Sequence, residues 1–139
     1  MITFDADIFS ELFFGTAEYA RRALAIPREH QSLPIVAVEE VMRGRLSAVR
    51  RAETGKGRPT LERAYTLLKN SIEYVNAFQI LPYTAAAEQL FQSWRANKIR
   101  IGTHDLRIAA IAVAHGATLV SRNRRDFDLV PNLHVEYWG

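Results

Sequence analysis

Asp5, Glu40, Asp105 and Asp126 are the residues of this chain whose type and placement could do chemistry together. Carboxylates crowded within a few ångströms cannot all stay ionised without compensation, because each raises the pKa of its neighbours. A hard divalent cation resolves that conflict. The chain has no cysteine and its four histidines are scattered, so the donor set is all oxygen and selects Mg²⁺ or Mn²⁺. Such a centre can polarise a phosphodiester, activate water and stabilise the departing oxygen, above all with two ions roughly 3.5–4 Å apart. The chemistry it suggests is phosphodiester hydrolysis.

Each acid also has a plainer reading. The helix dipole favours Asp and Glu in first turns, which would account for Glu40 or Asp105 alone. Asp105 could cap its helix beside Thr103, and Asp126 could belong to an Asx turn in Arg124-Arg125-Asp126. Asp5 is hardest to dismiss, since a charge ending a buried strand is costly unless something pairs with it. The convergence of all four favours the metal.

The acids can act together only if the fold gathers them. Ile2-Thr3-Phe4 reads as a first strand, and Asp7 to about Ala25 as one or two helices broken near Gly15-Thr16. Pro27 to Pro34 reads as a polar connection. Ile35-Val36-Ala37-Val38 is an uninterrupted apolar run, the mark of a strand buried on both faces. A helix is expected from about Glu39 to Ala52, then a break over Thr54 to Pro59. Leu61, Tyr65, Leu68, Ile72 and Val75 recur at helical spacing, giving the second arm of a helical hairpin. Lys56 and Arg58 at its tip read as a solvated turn rather than an outer clamp on nucleic acid.

Phe78 to Leu81 is expected to be a third strand, and Ala117 to Val120 a fourth. Leu133 to Tyr137 would make a fifth. Thr84 to Asn97 and Thr103 to His115 read as helices, the first with Phe91 and Trp94 toward the core, the second ended by Gly116. Strands alternating with helices predict an α/β three-layer sandwich. Its central sheet would be mostly parallel, of four to five strands, in one domain over residues 1–139.

In such a sheet every strand ends at one edge, and the next helix begins there. Asp5 ends the first strand, and Glu40 is expected in the first turn after the second. Asp105 opens the helix before the fourth strand, and Asp126 follows that strand. All four are therefore placed at the edge where folds of this kind keep their ligands.

The 139 residues are 48% hydrophobic and 24% charged, enough for one real core and too few charges for wholesale disorder. Net charge is +3 and the pI about 9.5, compatible with a polyanionic partner without demanding one. The absence of cysteine suits a reducing cytoplasm. No apolar run approaches the roughly 20 residues of a membrane span, and Asp5 stands where a signal peptide would be basic. The expectation is a soluble, cytoplasmic protein without a membrane association.

The same positions resemble the pattern of PIN-domain nucleases. Phe4-Asp5-Ala6-Asp7 is similar to the family's opening Asp-Thr-Asn element. Val38 to Gly44 resembles its Glu-x-x-x-Gly element, selecting Glu40 over Glu39. Ile101 to Ala110 is similar to the segment carrying the third acid, and Gly116 to Phe127 to the closing element. The last two, adjacent and in order, are the most specific, and the likeness runs from Ile2 to about Trp138.

The resemblance implies a homodimeric Mg²⁺- or Mn²⁺-dependent endoribonuclease cutting single-stranded or looped RNA. It further implies a VapC-type toxin restrained by a small VapB-like antitoxin. Asp5, Glu40, Asp105 and Asp126 would be its catalytic metal ligands, with Ser121 and Asn123 supporting them by hydrogen bonds. Two departures stand out. Asp7 replaces a frequent Asn, as an extra outer ligand or as a helix-opening acid pointing away, and Ser121 replaces a frequent Thr but keeps the hydroxyl.

Arg43 and Arg45, about one turn beyond Glu40, could reach a phosphate or an antitoxin carboxylate, or simply face solvent. Arg122, Arg124 and Arg125 around the last acid are better placed for an RNA backbone. His104 lies about 100° around the helix from Asp105, favouring a surface or supporting role. Phe13, Phe14 and Tyr19 could form a hydrophobic dimer or antitoxin groove.

Four rivals stand beside this reading. Asp5-Ala6-Asp7 matches the start of a haloacid-dehalogenase-type phosphatase, but Phe9 stands where that motif wants Thr or Val. None of Lys56, Lys69 and Lys98 is suitably placed either. A response-regulator receiver lacks its acceptor Asp after the third strand. A catalytically silent RNA- or protein-binding module would be expected to have lost acids, and a maturation nuclease of the same fold would share them.

Overall fold

The computed structural model describes residues 1–55 and 58–139; Lys56 and Gly57 of the expected hairpin tip lie outside the described residues. Five strands form one sheet: β1 (Ile2–Phe4), β2 (Gln31–Pro34), β3 (Gln79–Leu81), β4 (Thr118–Ser121) and β5 (Val135–Tyr137). Their order is β3-β2-β1-β4-β5 and every adjacent pair is parallel. The helices are α1 (Ala6–Phe13), α2 (Ala17–Leu24), α3 (Ile35–Glu53), α4 (Leu61–Val75), α5 (Ala85–Ala96), α6 (Thr103–Ala114) and α7 (Arg124–Phe127).

Side chains on a strand alternate between faces, and the cores divide accordingly. Leu119 joins Phe91, Trp94, Ile108 and Ile111 in a cluster built from α5 and α6. Val120, its neighbour, joins Phe4, Ile8, Phe9 and Trp138 in a second cluster that includes α1. The result is the expected three-layer α/β sandwich. No helix among the described residues is long and apolar enough to cross a membrane.

One element departs from expectation. The second strand is Gln31–Pro34, not Ile35–Val38, which instead forms the first turn of α3. Gln31 and Ser32 can enter a buried strand because their polar atoms are satisfied there. Gln31 Nε2 donates to the carbonyls of Ala23 and Ile26 at 2.9 and 2.8 Å, and Ser32 Oγ to Ile2 O at 2.7 Å. Pro34 then stands at the helix N-cap, where its missing N–H costs nothing. The hairpin of α3 and α4 is present, but its second arm is turned. Ala64 and Ser71 are buried, while Leu61, Tyr65 and Ile72 of the apolar stripe are exposed.

Candidate active site

The strand order reverses between β1 and β4. From β1 the chain steps through β2 to β3 on one side, then crosses to β4 and β5 on the other. Helices leave such a switch point in opposite directions and open a crevice at the carboxyl ends of the two strands. Asp5 directly follows β1, and Ser121 ends β4.

Asp5 is buried and caps α1, accepting the Ile8 N–H at 2.9 Å. The wholly buried Ser121 hydroxyl accepts the Asn123 N–H at 2.9 Å and lies near enough to the Asp5 carboxylate to favour its charged form. These contacts do not offset the loss of water. Burial, with the charges of Asp7 and Asp105 added, raises the Asp5 pKa to about 6.

Asp105 lies in the first turn of α6 and makes no cap bond; that helix starts at Gly102 without side-chain capping. Its Oδ2 instead accepts from Asn123 Nδ2 at 3.4 Å, and the same amide reaches Asp126 Oδ2 at 3.0 Å. Asn123, not Asp126, is the Asx cap of α7, since its Oδ1 accepts the Asp126 N–H at 3.4 Å. One amide thus ties two of the acids together. Burial raises the Asp105 pKa first, and the charge of Asp126 next.

Glu40 sits in the second turn of α3, not the first, because that helix begins earlier than expected. Its pKa is raised by burial and then by Asp105. Glu39, one residue earlier, is held elsewhere by Arg43 at 2.6 Å and His104 at 3.4 Å. A cleft of about 560 Å³ is lined by Glu40, Arg43, His104 and Asp105. Asp7, exposed in the first turn of α1, adds its charge to Asp5, Glu40 and Asp105.

The arginines divide. Arg43 is engaged by Glu39, and Arg122 reaches Glu11 at 3.5 Å. Arg124 stacks over Tyr137 at 4.2 Å, and Arg125 is exposed. Arg45 turns to α4, where Nε donates to Ser71 Oγ at 2.7 Å, with Phe13 and Phe14 about its guanidinium. Tyr19 is buried, whereas Phe14 is 61% exposed. Sequence reasoning passed over Arg95, Lys98 and Arg100, which line a cavity with Asp126. They lie at and just after the end of α5 and belong to no motif.

The site is thus a set of carboxylates at a topological switch point, where burial and neighbouring negative charge raise the pKa of Asp5, Glu40 and Asp105. A sequence profile described as PIN domain matches residues 2–133. The chain belongs to the PIN-domain family. Among similar proteins, Ribonuclease VapC1 of Rickettsia felis is 41% identical over 71 residues, covering 46% of this chain and 52% of the relative. Ribonuclease VapC of Rickettsia bellii is 35% identical over 69 residues, with the same two shares. The chain spans about half the length of these curated relatives in the match.

The fold extends further than the sequence likeness. This PIN domain superposes over its full length on VapBC2 from Rickettsia felis, solved bound to a promoter DNA fragment, with a TM-score of 0.79 and 20% identity. VapBC-1 from nontypeable Haemophilus influenzae gives 0.74 at 18% identity, covering 99% of this chain and 98% of that one.

The donor chemistry of this site fits a hard cation. Every candidate ligand offers carboxylate oxygen, and burial with neighbouring negative charge makes ionisation of Asp5, Glu40 and Asp105 unfavourable without a positive charge. No three Asp, Glu or His side chains among the described residues close on one point as a finished cage would.

Proposed function

We propose that this PIN domain, acting as one unit over residues 1–139, is a divalent-metal-dependent endoribonuclease, the toxin of a type II toxin–antitoxin pair. What supports the reading is that Asp5, Glu40, Asp105 and Asp126, from distant parts of the chain, lie near the β1–β4 switch point, where the charges of Asp105 and Asp5 act on Glu40 and that of Asp126 on Asp105. The names of the VapC ribonucleases it resembles support the substrate class. The VapBC complexes that share its fold support a VapB-like antitoxin as partner.

Asp5, Glu40, Asp105 and Asp126 would hold Mg²⁺ or Mn²⁺. When bound, the ion supplies Lewis acidity toward a phosphodiester and lowers the pKa of water. The chain's own residues fix the geometry. Ser121 orients Asp5, and Asn123 holds Asp105 and Asp126 at a common amide. Asp7 contributes negative charge at the rim. Exposed Phe14, with Leu61, Tyr65 and Ile72 on α4, gives apolar surface for a homodimer or the antitoxin. A cysteine-free chain suits work in the cytoplasm.

The test is purified, partner-free protein against a structured RNA pool, with Mg²⁺ or Mn²⁺, with EDTA, and as Asp5→Asn. Cutting that needs metal is expected, reduced at least about a hundredfold in the variant. Unchanged cutting by Asp5→Asn would sink the proposed site. A partner-free protein inert in every condition would make a binding module the better reading.

A further inference from the structure

A ring of acids is a poor landing place for a polyanion, so a nuclease built on one needs cations nearby that are free to take phosphate. Arg43 and Arg122 are engaged by Glu39 and Glu11 and Arg45 by Ser71, while Arg124 lies over the Tyr137 ring and Arg125 is exposed beside Asp126. On the other side of the α6 N-terminus a cavity of about 570 Å³ opens between the end of α5 and the start of α6. Phe91, Ile99 and Ile101 give it apolar lining, Arg95, Lys98 and Arg100 give it positive charge, and Asp126 lines it too. Arg95 lies over the buried Phe91 ring at 5.5 Å, and among the described residues none of these three cations has a carboxylate within 4.0 Å.

The backbone at this cavity is held in an uncommon state. Ile99 N–H donates to Trp94 O at 2.9 Å and Lys98 N–H to Arg95 O at 3.0 Å, the closure that ends a helix through a left-handed residue. Glycine usually fills that place. Here it is Lys98, at φ 62°, a conformation a lysine adopts only under strain. A side chain is kept where folding alone would favour none, and that side chain is a cation lining the cavity.

We propose that this cavity is a nucleotide subsite. It seats one unpaired nucleotide next to the scissile phosphate, with the base against Ile99 and Ile101 and the flanking phosphate on Arg95, Lys98 and Arg100. The volume lies within the range of small-molecule pockets. A concave site of this kind admits a base only when it is out of the helical stack, so a paired strand cannot use it. Asp126 lines both the subsite and the acid ring, which makes the two continuous. The inference rests on the ribonuclease reading.

The experiment is fluorescence anisotropy of a labelled single-stranded oligoribonucleotide in Mg²⁺, on Asp5→Asn protein to prevent cutting, across a salt series. Adding Arg95→Ala with Arg100→Ala should weaken binding about tenfold or more and flatten the salt dependence by about 0.7 in logarithmic slope per lost contact. Lys98→Gly should weaken binding in the same direction while its thermal midpoint holds or rises, which separates the lost charge from misfolding. Unchanged affinity and slope in both, while the wild-type enzyme cuts RNA, overturns the subsite alone. Wild-type protein that neither binds nor cuts RNA overturns the subsite and the nuclease reading together. Variants that keep RNA affinity but lose an acidic antitoxin segment would overturn it in favour of a protein-docking site.

Discussion

Asp5 serves two purposes with one side chain: it caps α1 through Ile8 and carries charge into a buried site. Its folded pKa of about 6 lies above the ordinary 3.8. The stability it contributes is therefore complete below about pH 3.8 and is lost as pH rises through 6. In EDTA, the folding stability should carry a falling component across that window, on the order of 3 kcal/mol by pH 7. Asp5→Asn keeps an oxygen for the cap and should remove that component, measured by melting curves at stepped pH. The acids were legible in the sequence because a strand end or a helix start is a place as well as a pattern. Which of them also cap was not, since Asn123 rather than Asp126 caps α7, and Asp105 caps nothing. Nor was the direction of Arg45, which depends on where α4 brings Ser71.

Most elements followed from hydrophobic period and punctuation, including α5 with its Thr84 cap, whose side chain accepts from Ala87 N–H. The boundary of β2 and α3 did not. An apolar run such as Ile35 to Val38 suits a buried strand and a buried helix equally, and period cannot choose between them. What decided it was a polar strand satisfied by distant carbonyls, which sequence does not display. Gln31→Leu should therefore destabilise by about 1–3 kcal/mol despite its added hydrophobicity, because Ala23 O and Ile26 O lose their donor. Urea denaturation would measure it, and an unchanged midpoint would count against this account of β2. The turned stripe of α4 has a similar cause: small Ala64 and Ser71 permit close approach to α3, leaving the larger side chains outward.

At the scale of the molecule, binding and folding are linked. A cation held by acids from both sides of the switch point binds only the folded chain. Saturating Mg²⁺ should raise wild-type stability by about 2.7 kcal/mol at a hundred times its Kd, and Asp5→Asn should blunt the gain. Calorimetry with and without the ion would show it. The exposed aromatic surface gives a separate prediction. Phe14→Glu should leave the melting midpoint nearly unchanged, since the ring is 61% exposed, yet convert a sedimenting dimer to monomer. A dimer that survives would move the interface away from Phe14.

The strand order also sets a timetable. The central strand β1 leaves the ribosome well before one of its two neighbours, β4. Asp5 waits for Ser121, and Asp105 for Asn123. A nascent chain therefore carries separated acids and no assembled centre until β4 and α7 have emerged. Whatever chemistry these acids perform is withheld from the ribosome-bound chain until then.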